Sequence, residues 1–454
     1  MAREAADRLL ASVWADLGRD PAEPAALAPL PEAPLPACLD VSSLAVASVA
    51  AASLAAWSAT AAPGSIRLDG ARVATAFQSE RVARFDGEPP SVWSPLSGFR
   101  RARDGWVRTH GNYPHHAAAL RRVLGVGEGA DAADVDAEIA RWAAAELVEA
   151  VTGAGGMCVA VAVEEPHVDE ELRRHPLIEL LPLGAAGPVP ARAPEPRRPL
   201  AGLRILDLTR VIAGPVATRT LALLGADVLR IDPPSPPELE WQHLEGGPGK
   251  RSALLDLRTS GDAARFEELL AEADAIVLGY RPASLERLGI SPQDLADRHP
   301  GLVIGQLSAW GFDEAAGERG GFDSLVQASS GIALVEGTPD APGALPAQAL
   351  DHATGYFLAA AVMTMLGRRS IDGGTRLARM SLRRTAAELL GLPRRGEPGP
   401  VGLGDAARDS HAETVSGPAG EQRIAAPAIA SPAGPMGWPA APHPWGSDRP
   451  YWAD

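Results

Sequence analysis

Short apolar segments alternate with helical patterns from residue 203 to 311, and this alternation constrains the fold more than any other feature. The apolar segments are LRILDLT, DVLRID, SALLDLR, DAIVLGY and GLVIGQLSAWG. Between them, GPVATRTLALLGA and GDAARFEELLAEA carry apolar residues at helical spacing. Strands that alternate with helices predict an α/β fold, in which helices cover both faces of a parallel sheet. Ligands of such sheets bind beyond the carboxyl ends of the strands.

Proline content divides the chain into parts. Residues 184–199 carry five prolines with Ala, Arg and Glu, a composition typical of an extended linker. It predicts a separate N-terminal block at residues 1–183 and a sheet domain at 200–393. Residues 394–454 are rich in Pro, Gly and Ala. We expect them to form an arm that lies on another surface, or to be partly disordered.

The charge and the cysteine content exclude several classes of function. The formal net charge is -15, whereas nucleic-acid binding needs basic patches, so we expect no nucleic-acid partner. Two cysteines, Cys38 and Cys158, cannot build a disulfide framework or a CxxC metal site, which favours a reducing, cytoplasmic location. The histidines of HGNYPHH lack acidic or Cys partners at ligand spacing. We therefore interpret this segment as a polar surface loop and expect no metal.

One long uncharged run raises the question of membrane insertion. Residues 41–66, VSSLAVASVAAASLAAWSATAAPGSI, are dominated by Ala and Ser. Ala is nearly neutral and Ser unfavourable in a bilayer, so the run predicts a closely packed buried helix and no membrane partner. The amino terminus, MAREAADRLLASVWADLG, mixes acids and bases along an amphipathic helix and lacks the apolar core of a signal peptide.

A single carboxylate precedes another apolar run. In QALDHATGYFLAAAVMTML, residues 348–366, Asp351 is the only acidic residue. Two interpretations remain open from the residues alone. Asp351 is either the N-cap of a helix or a carboxylate held in a partly dry pocket because it takes part in chemistry.

The segment from about Pro199 to Leu390 closely resembles the class III CoA-transferases, the formyl-CoA and carnitine CoA-transferase type. The motifs that carry the resemblance, in family order, are PLAGLRILDLTRVIAGPVATRTLALLGADVLRID, GKRSALLDLR, ADAIVLGYRPASLERLGI, HPGLVIGQLSAWG, GGFDSLVQASSGIALVEG and ALDHATGYFLAAAVMTMLGRRSIDGG. The resemblance implies a Rossmann-like parallel-sheet domain with a smaller second domain. Weaker matches within residues 1–183 suggest that this block supplies the small domain, in a rearranged order.

The resemblance implies a mechanism centred on Asp351. In the family, the Asp at this position attacks an acyl-CoA thioester, and CoA passes through an aspartyl anhydride and an aspartyl-CoA intermediate to a carboxylic acid. A helix that begins just after Asp351 would donate amides and keep the carboxylate ionised. Asp323 and Gly355 stand at supporting positions. The family match also nominates residues that would contact coenzyme A: Val211, Ala213, Lys250, Arg251, Gly279, Tyr280, Arg281 and Arg287.

The resemblance further implies no permanently bound cofactor, with coenzyme A and acyl-CoA as substrates, and an interlinked homodimer. Two alternatives stay open. Acyl-CoA racemases share the fold but use a His in a G-H-D segment, where this chain has Phe322, which cannot exchange protons. A catalytically inactive relative that binds CoA is the other alternative, because Pro233 and Pro234 replace a position that can be basic and the chain has no convincing counterpart of the family's glycine-rich loop. Ile212 stands where formyl-CoA transferase has a polar residue, which leaves the substrate open.

Overall fold

The computed structural model of the chain describes residues 2–57, 65–190, 195, 197–395 and 401–453. The predicted linker at residues 184–199 therefore lies partly outside the described residues, as do residues 58–64 of the uncharged run at residues 41–66. The elements before the sheet domain are α1 (Ala2–Asp16), a 3-10 helix (Glu23–Ala26), α2 (Val41–Trp57), α3 (Gly70–Phe77), α4 (Ser79–Val82), β1 (Arg84–Phe85), β2 (Gly98–Arg101), β3 (Trp106–Thr109), α5 (Pro114–Leu124), α6 (Ala132–Ile139), α7 (Ala144–Gly153), β4 (Cys158–Ala160), α8 (Pro166–Arg173) and β5 (Glu179–Gly184).

The sheet domain follows the alternation that the sequence predicts. Its elements are β6 (Arg204–Leu208), α9 (Ala213–Leu223), β7 (Asp227–Asp232), α10 (Glu240–Glu245), β8 (Lys250–Leu254), α11 (Ser260–Ala271), β9 (Ala275–Leu278), α12 (Pro282–Glu286), α13 (Pro292–Arg298), β10 (Val303–Ser308), α14 (Glu314–Glu318), α15 (Asp323–Ser329), α16 (Ile332–Val335), α17 (Ala349–Arg369), β11 (Thr375–Ser381) and α18 (Leu382–Gly391). The C-terminal elements are α19 (Asp405–Asp409), β12 (Ala412–Gly417), β13 (Gly420–Ala425), β14 (Ala430–Ser431) and β15 (Gly434–Pro435).

A seven-stranded, mostly parallel sheet forms the centre of the molecule. The strands lie in the order β5-β11-β10-β9-β6-β7-β8, and β5 alone among them runs antiparallel to its neighbour, β11. The six parallel strands thus have the order of a doubly wound sheet, in which the chain reverses direction between β6 and β9. The α/β fold class is confirmed. Such a reversal opens a crevice at the carboxyl ends of the two strands, where ligands bind.

The uncharged run forms a helix in the core. Every described residue of α2 is buried, and the helix packs against α1 and α17. The prediction of a closely packed buried helix is confirmed for Val41–Trp57, because small Ala and Ser side chains let neighbouring helices approach. Among the described helices, none combines the length and the apolar character that crossing a bilayer requires.

The N-terminal block and the C-terminal residues both pack onto the sheet domain. Strand β5 adds an edge strand to the main sheet, and β2, β3 and β4 form a small antiparallel sheet of their own. Strand β1 pairs with β13, and this pairing joins the N-terminal block to the C-terminal residues. Near the C-terminus, the indole of Trp445 donates to Asp232 (3.1 Å) and that of Trp452 to the carbonyl of Leu269 (3.1 Å). These contacts hold the C-terminal residues on the surface of the sheet domain.

Candidate active site

A cleft of about 270 Å³ opens at the carboxyl ends of β6, β9 and β10, at the point where the strand order reverses. The sheet domain contributes these residues to its wall: Arg210, Val211, Ala213, Gly279, Tyr280 and Arg281. The N-terminal block contributes Tyr113, His115, His116 and Met157. Asp351 lies in the same wall. The cleft is therefore built between two regions that are distant in sequence.

The turn between β6 and α9 has a strained backbone. Val211 adopts φ +71°, in the left-handed region that a β-branched residue rarely occupies. A backbone of this kind costs of order 1–3 kcal/mol and is concentrated at functional sites. Helix α9 begins two residues later, at Ala213. Its amino-terminal end thus reaches the cleft, where unpaired amides favour anions.

Gly355 sets the distance between α17 and α9. A Cβ at this position would lie 2.5 Å from the carbonyl oxygen of Ala213 and 2.8 Å from Cβ of Val216. Only a glycine allows this approach. Because Asp351 lies one helical turn before Gly355, the contact places Asp351 opposite the turn that carries Val211.

Asp351 is the third residue of α17, and its side chain is largely buried, with 6 % of the residue exposed. Gln348 occupies the N-cap position and makes no side-chain capping bond. The interpretation of Asp351 as an N-cap is therefore wrong. The carboxyl group instead lies in the wall of the cleft, where it is largely shielded from solvent.

A second carboxylate, Asp323, lies directly beside Asp351 and is completely buried, at 0 % exposure. It accepts a hydrogen bond from the backbone N–H of Asp351 at 2.9 Å and another from the side-chain amide of Gln327. The expectation that the first amides of α17 would keep Asp351 ionised is wrong, because Asp323 accepts from the amide of Asp351.

The pKa values of both carboxyls are raised. Burial raises the pKa of Asp351 well above its usual range, and the neighbouring charge of Asp323 adds to the effect. Burial also raises the pKa of Asp323, to about 6, although the hydrogen bonds from Asp351 and Gln327 oppose this shift. Two carboxyls in contact do not ionise independently, so the pair retains a proton more readily than isolated Asp residues.

A smaller cavity of about 60 Å³ lies on the other side of Asp351. We call it the inner cavity. Val211, Phe322 and Asp351 line both spaces and form the border between them. The remaining wall includes Trp93, His110, Trp241, Gln242 and His352. Sequence reasoning did not find these residues, because no motif joins positions so far apart.

Five of the residues nominated for CoA contact lie together in the cleft with Asp351: Val211, Ala213, Gly279, Tyr280 and Arg281. The other three do not line it. Lys250 is 3 % exposed and pairs with Asp207 at 2.9 Å. Arg251 pairs with Asp227 at 2.7 Å.

Arg287 lies on an exposed surface, where it pairs with Glu318 at 2.8 Å. Sequence reasoning missed Arg210 and Arg319, which do line the cleft. Arg210 donates to Asp232 and to the hydroxyl of Tyr280, both at 3.1 Å. Its place directly after β6 is the signal that could have identified it, since strand ends define this edge of the sheet.

An apolar slot of about 160 Å³ adjoins the cleft beyond β6, β7 and β8. Its wall includes Ile231, Pro233, Leu255, Leu257 and Leu285. Tyr280 and Ser284 line both the slot and the cleft. Arg258, which also lines the slot, is exposed and pairs with Asp256. The arrangement offers an apolar pocket beside the cleft with a cation at its rim.

The segment HGNYPHH is not a surface loop. His110 and His116 are buried, and the ring of His110 stacks on Phe322 with 3.7 Å between centroids. Burial lowers the pKa of His110 to about 3 and that of His116 to about 4, so both rings are neutral at pH 7. Within the described part of the chain, no group of three His, Cys, Asp or Glu residues could hold a metal ion.

The fold and the site together define an α/β protein with a buried carboxyl pair between two ligand-sized spaces at the reversal point of a parallel sheet. Residues 200–394 match the model of CoA-transferase family III.

Curated relatives show the same class. A probable fatty acyl-CoA transferase of Mycobacterium tuberculosis is 34% identical over 192 residues, which cover 39% of this chain and 49% of the relative. A crystal structure of that mycobacterial protein covers 43% of this chain and 58% of its own, with a TM-score of 0.40.

An acyl-CoA transferase of Gibberella moniliformis is 28% identical over 357 residues, 70% of this chain and 61% of the relative. The succinyl-CoA:glutarate CoA-transferase of Mus musculus is 31% identical over 189 residues, 39% of this chain and 43% of the relative. The chain thus spans about half the length of the curated relatives it matches.

Proposed function

We propose that the protein transfers coenzyme A between an acyl-CoA thioester and a carboxylic acid, with Asp351 as the nucleophile. The observation that carries this proposal is the place of Asp351, which borders a cleft on one side and the inner cavity on the other. A thioester has two parts, the coenzyme and the acyl group. A carboxylate between two spaces can reach the carbonyl carbon that joins them.

We assign coenzyme A to the cleft and the apolar slot. Its diphosphate requires cationic and amide donors, which Arg210, Arg281 and the start of α9 supply. Its adenine ring suits the slot beside Tyr280, and the exposed Arg258 at the rim is a suitable partner for the 3′-phosphate. Lys250 and Arg251 pair with carboxylates and, unlike Arg210, do not line the cleft, so we assign them to the support of the sheet.

The proposed reaction proceeds through Asp351 in four steps. Its carboxylate attacks the thioester carbonyl, a C–O bond forms, the C–S bond breaks, and CoA thiolate leaves. The thiolate then attacks the Asp351 carbonyl of the mixed anhydride and expels the donor acid as a carboxylate. An acceptor carboxylate attacks the aspartyl-CoA thioester and releases the thiolate again. Attack of the thiolate on the acceptor carbonyl forms the new acyl-CoA and restores the Asp351 carboxylate.

The carboxyl pair controls the nucleophile. Attack requires ionised Asp351, yet burial and Asp323 raise its pKa. A carboxylate with a raised pKa is the stronger nucleophile once it ionises, because its negative charge is poorly solvated. We therefore expect the rate to rise with pH on the acidic side until the pair has lost its proton.

The test is to trap the activated carboxylate. Hydroxylamine added with acyl-CoA should convert Asp351 to a hydroxamate, found by mass spectrometry in the peptide that contains it. Asp351→Asn should abolish the trapping and lower the transfer of labelled CoA on the order of 10⁴-fold or more. Asp405→Asn, which changes an exposed carboxylate, is the matched control and should retain both. Transfer that survives in Asp351→Asn would refute the proposal.

Racemisation at the α-carbon is a second candidate, because His110 and Asp351 line the same inner cavity and could act as a proton-transfer pair. The low pKa of His110, about 3, makes it a weak base, so transfer is favoured. A racemase would exchange an α-deuteron of an acyl-CoA without an acceptor acid. A protein that only binds CoA would show a CoA-dependent thermal shift and neither reaction.

An interlinked homodimer in the cytoplasm stays a prediction from the family resemblance. The chain mass is 47.1 kDa, so light scattering on the purified protein should give twice this value. A monomer that is fully active would refute the prediction of a dimer.

A further inference from the structure

We propose that the inner cavity holds the acyl group, and that its wall selects a short acyl chain with an uncharged hydrogen-bonding substituent, such as a hydroxyl. Dicarboxylic and long-chain acyl groups are excluded. This inference rests on the proposed function, because it takes Asp351 as the point of attachment.

The two spaces on either side of Asp351 determine how a bound thioester is oriented. The cleft carries Arg210, Arg281 and Arg319 and shares two wall residues with the apolar slot, whereas the inner cavity is lined mostly by α10, α17 and the N-terminal block. A thioester whose carbonyl carbon meets Asp351 with its sulfur in the cleft must therefore extend its acyl chain past Val211 and Phe322. That chain enters the inner cavity.

The size of the inner cavity limits the length of the acyl chain. Its volume is about 60 Å³, which is room for roughly four water-sized groups. A chain of a few heavy atoms fills this space. The indole rings of Trp93 and Trp241 and the ring of Phe322 line it, so longer chains would have to displace one of these large side chains.

Three polar atoms in the wall have no hydrogen-bond partner within the described structure. They are Nδ1 of His110, Oε1 of Gln242 and Nδ1 of His352. The three residues are 6 %, 7 % and 2 % exposed, in that order, and all of them line the inner cavity. A buried polar group without a partner costs free energy that a ligand recovers when it pairs with the group. A purely aliphatic acyl group would leave all three atoms unpaired.

The charges of the wall exclude a second carboxylate on the acyl chain. Glu80, Glu245 and Asp323 line the inner cavity with Asp351, and among the described residues no Lys or Arg lines it. Glu245 is already paired with Arg219. The imidazoles of His110 and His352 supply no positive charge, because burial lowers the pKa of each to about 3. Burial raises the pKa of Glu80 to about 7 and that of Asp323 to about 6. A terminal carboxylate would thus be desolvated beside acidic side chains, with no cation in the wall to pair with it.

A panel of four donors tests the selection, three of them with a four-carbon acyl chain and one with a long chain. The acyl-CoA donors are 3-hydroxybutyryl-CoA, butyryl-CoA, succinyl-CoA and palmitoyl-CoA. The measured quantity is the second-order rate constant for formation of the Asp351 hydroxamate in the presence of hydroxylamine. We expect 3-hydroxybutyryl-CoA to exceed butyryl-CoA at least tenfold, with succinyl-CoA and palmitoyl-CoA lower still. Equal rates for the first two, or a preference for succinyl-CoA or palmitoyl-CoA, would overturn the inference.

Two substitutions test the residues themselves. Gln242→Leu should reduce the ratio of 3-hydroxybutyryl-CoA to butyryl-CoA about tenfold, and Glu80→Gln should raise succinyl-CoA relative to butyryl-CoA. Gln293→Leu changes an exposed glutamine of α13 and should leave both ratios at the wild-type values. A CoA-dependent thermal shift shows that each variant is folded. Unchanged ratios in Gln242→Leu and Glu80→Gln would contradict the assignment.

The outcomes separate this inference from the proposed function. If donors label Asp351 without the expected preference, the transferase proposal stands and the acyl assignment fails. If no donor labels Asp351, both fail. Because the panel is measured on the wild-type chain, the inference remains open to refutation even if a variant does not fold.

Discussion

The cleft and the inner cavity share Asp351 but are built in different ways. The coenzyme side of the cleft comes from turns that follow parallel strands, at Val211, Ala213, Gly279 and Tyr280. Most of the inner cavity comes from packing between the N-terminal block, α10 and α17. The first kind of wall follows from the order of the strands, and in the proposed reaction it binds the constant part of the substrate. The second depends on long-range contacts, and we expect it to determine which acyl group is accepted.

The contact between α17 and α9 fixes the position of Asp351 between the cleft and the inner cavity. Disrupting this contact should have the largest effect on stability and on trapping at Asp351. Gly355→Ala places a methyl group 2.5 Å from the Ala213 carbonyl, and such overpacking costs about 1–3 kcal/mol. We expect the free energy of unfolding to fall by this amount and hydroxylamine trapping at Asp351 to fall with it. Gly367→Ala is the control on the same helix. Nothing lies within 4 Å of its Cβ position, and we expect a small stabilisation.

The carboxyl pair of Asp351 and Asp323 lies beside the border between the two spaces. Its effect on the pH dependence of stability should be the next largest. The pKa values of Asp351 and Asp323 are raised in the folded chain, so their contribution to stability is complete below the ordinary pKa of 3.8. It is lost as the pH rises through about 6 and above. Asp323→Asn removes one charge and retains an oxygen that accepts from the Asp351 amide.

The variant should therefore lose less stability than the wild type between pH 4 and pH 7, with a difference on the order of 2 kcal/mol. Thermal unfolding across this interval measures it. The acidic limb of the rate profile should also move to lower pH, because the like charge that raises the pKa of Asp351 is gone. If the stability of the wild type and of Asp323→Asn changed equally with pH, the assignment of the raised pKa values to this carboxyl pair would be contradicted.

A buried hydrogen bond joins the N-terminal block to the sheet domain at the edge of the cleft. The hydroxyl of Tyr113 donates to Glu238, which also accepts from Arg230 at 2.8 Å. Tyr113→Phe should cost about 1–2 kcal/mol of stability, since one buried donor is lost and Glu238 keeps its arginine. Tyr451→Phe, at an exposed tyrosine, should cost nothing measurable by denaturant unfolding. Equal effects would mean that the bond does not contribute to the junction.

The smallest expected effect comes from replacing single arginines. A comparison of Arg281 with Arg287 distinguishes an arginine that lines the cleft from one that does not. Arg281→Ala should raise KM for acyl-CoA about five- to tenfold, because a charge-assisted contact to phosphate contributes roughly 1–1.5 kcal/mol in a solvated cleft. Arg287→Ala, on the exposed surface beside Glu318, should leave KM within twofold. Initial-rate kinetics with one donor compare the two. A larger rise in KM for Arg287→Ala than for Arg281→Ala would instead support the role in CoA binding that the family resemblance implies for Arg287.

Much of the sheet domain was predictable from sequence, and the reasons are local. Strands β6, β7, β9 and β10 coincide with apolar segments, since a strand covered on both faces must be apolar along its length. The burial of α2 follows from a run without charge. Asp351 could be selected because one acid precedes an apolar helix in a familiar order of motifs. Its burial, its position inside the helix and its partner Asp323 could not be derived from that pattern.

The sequence by itself determined the α/β alternation, the buried Ala-rich helix and the candidate nucleophile, because each depends on periodic burial or on a motif within about 25 neighbouring residues. The tertiary structure decided which charges meet. It paired Lys250 with Asp207 inside the sheet, buried His110 against Phe322 and set Asp323 beside Asp351. Desolvation and Coulomb interactions act over a few ångströms in space, whatever the separation along the chain, so only the folded arrangement fixes the protonation of the site and the shape of its inner cavity.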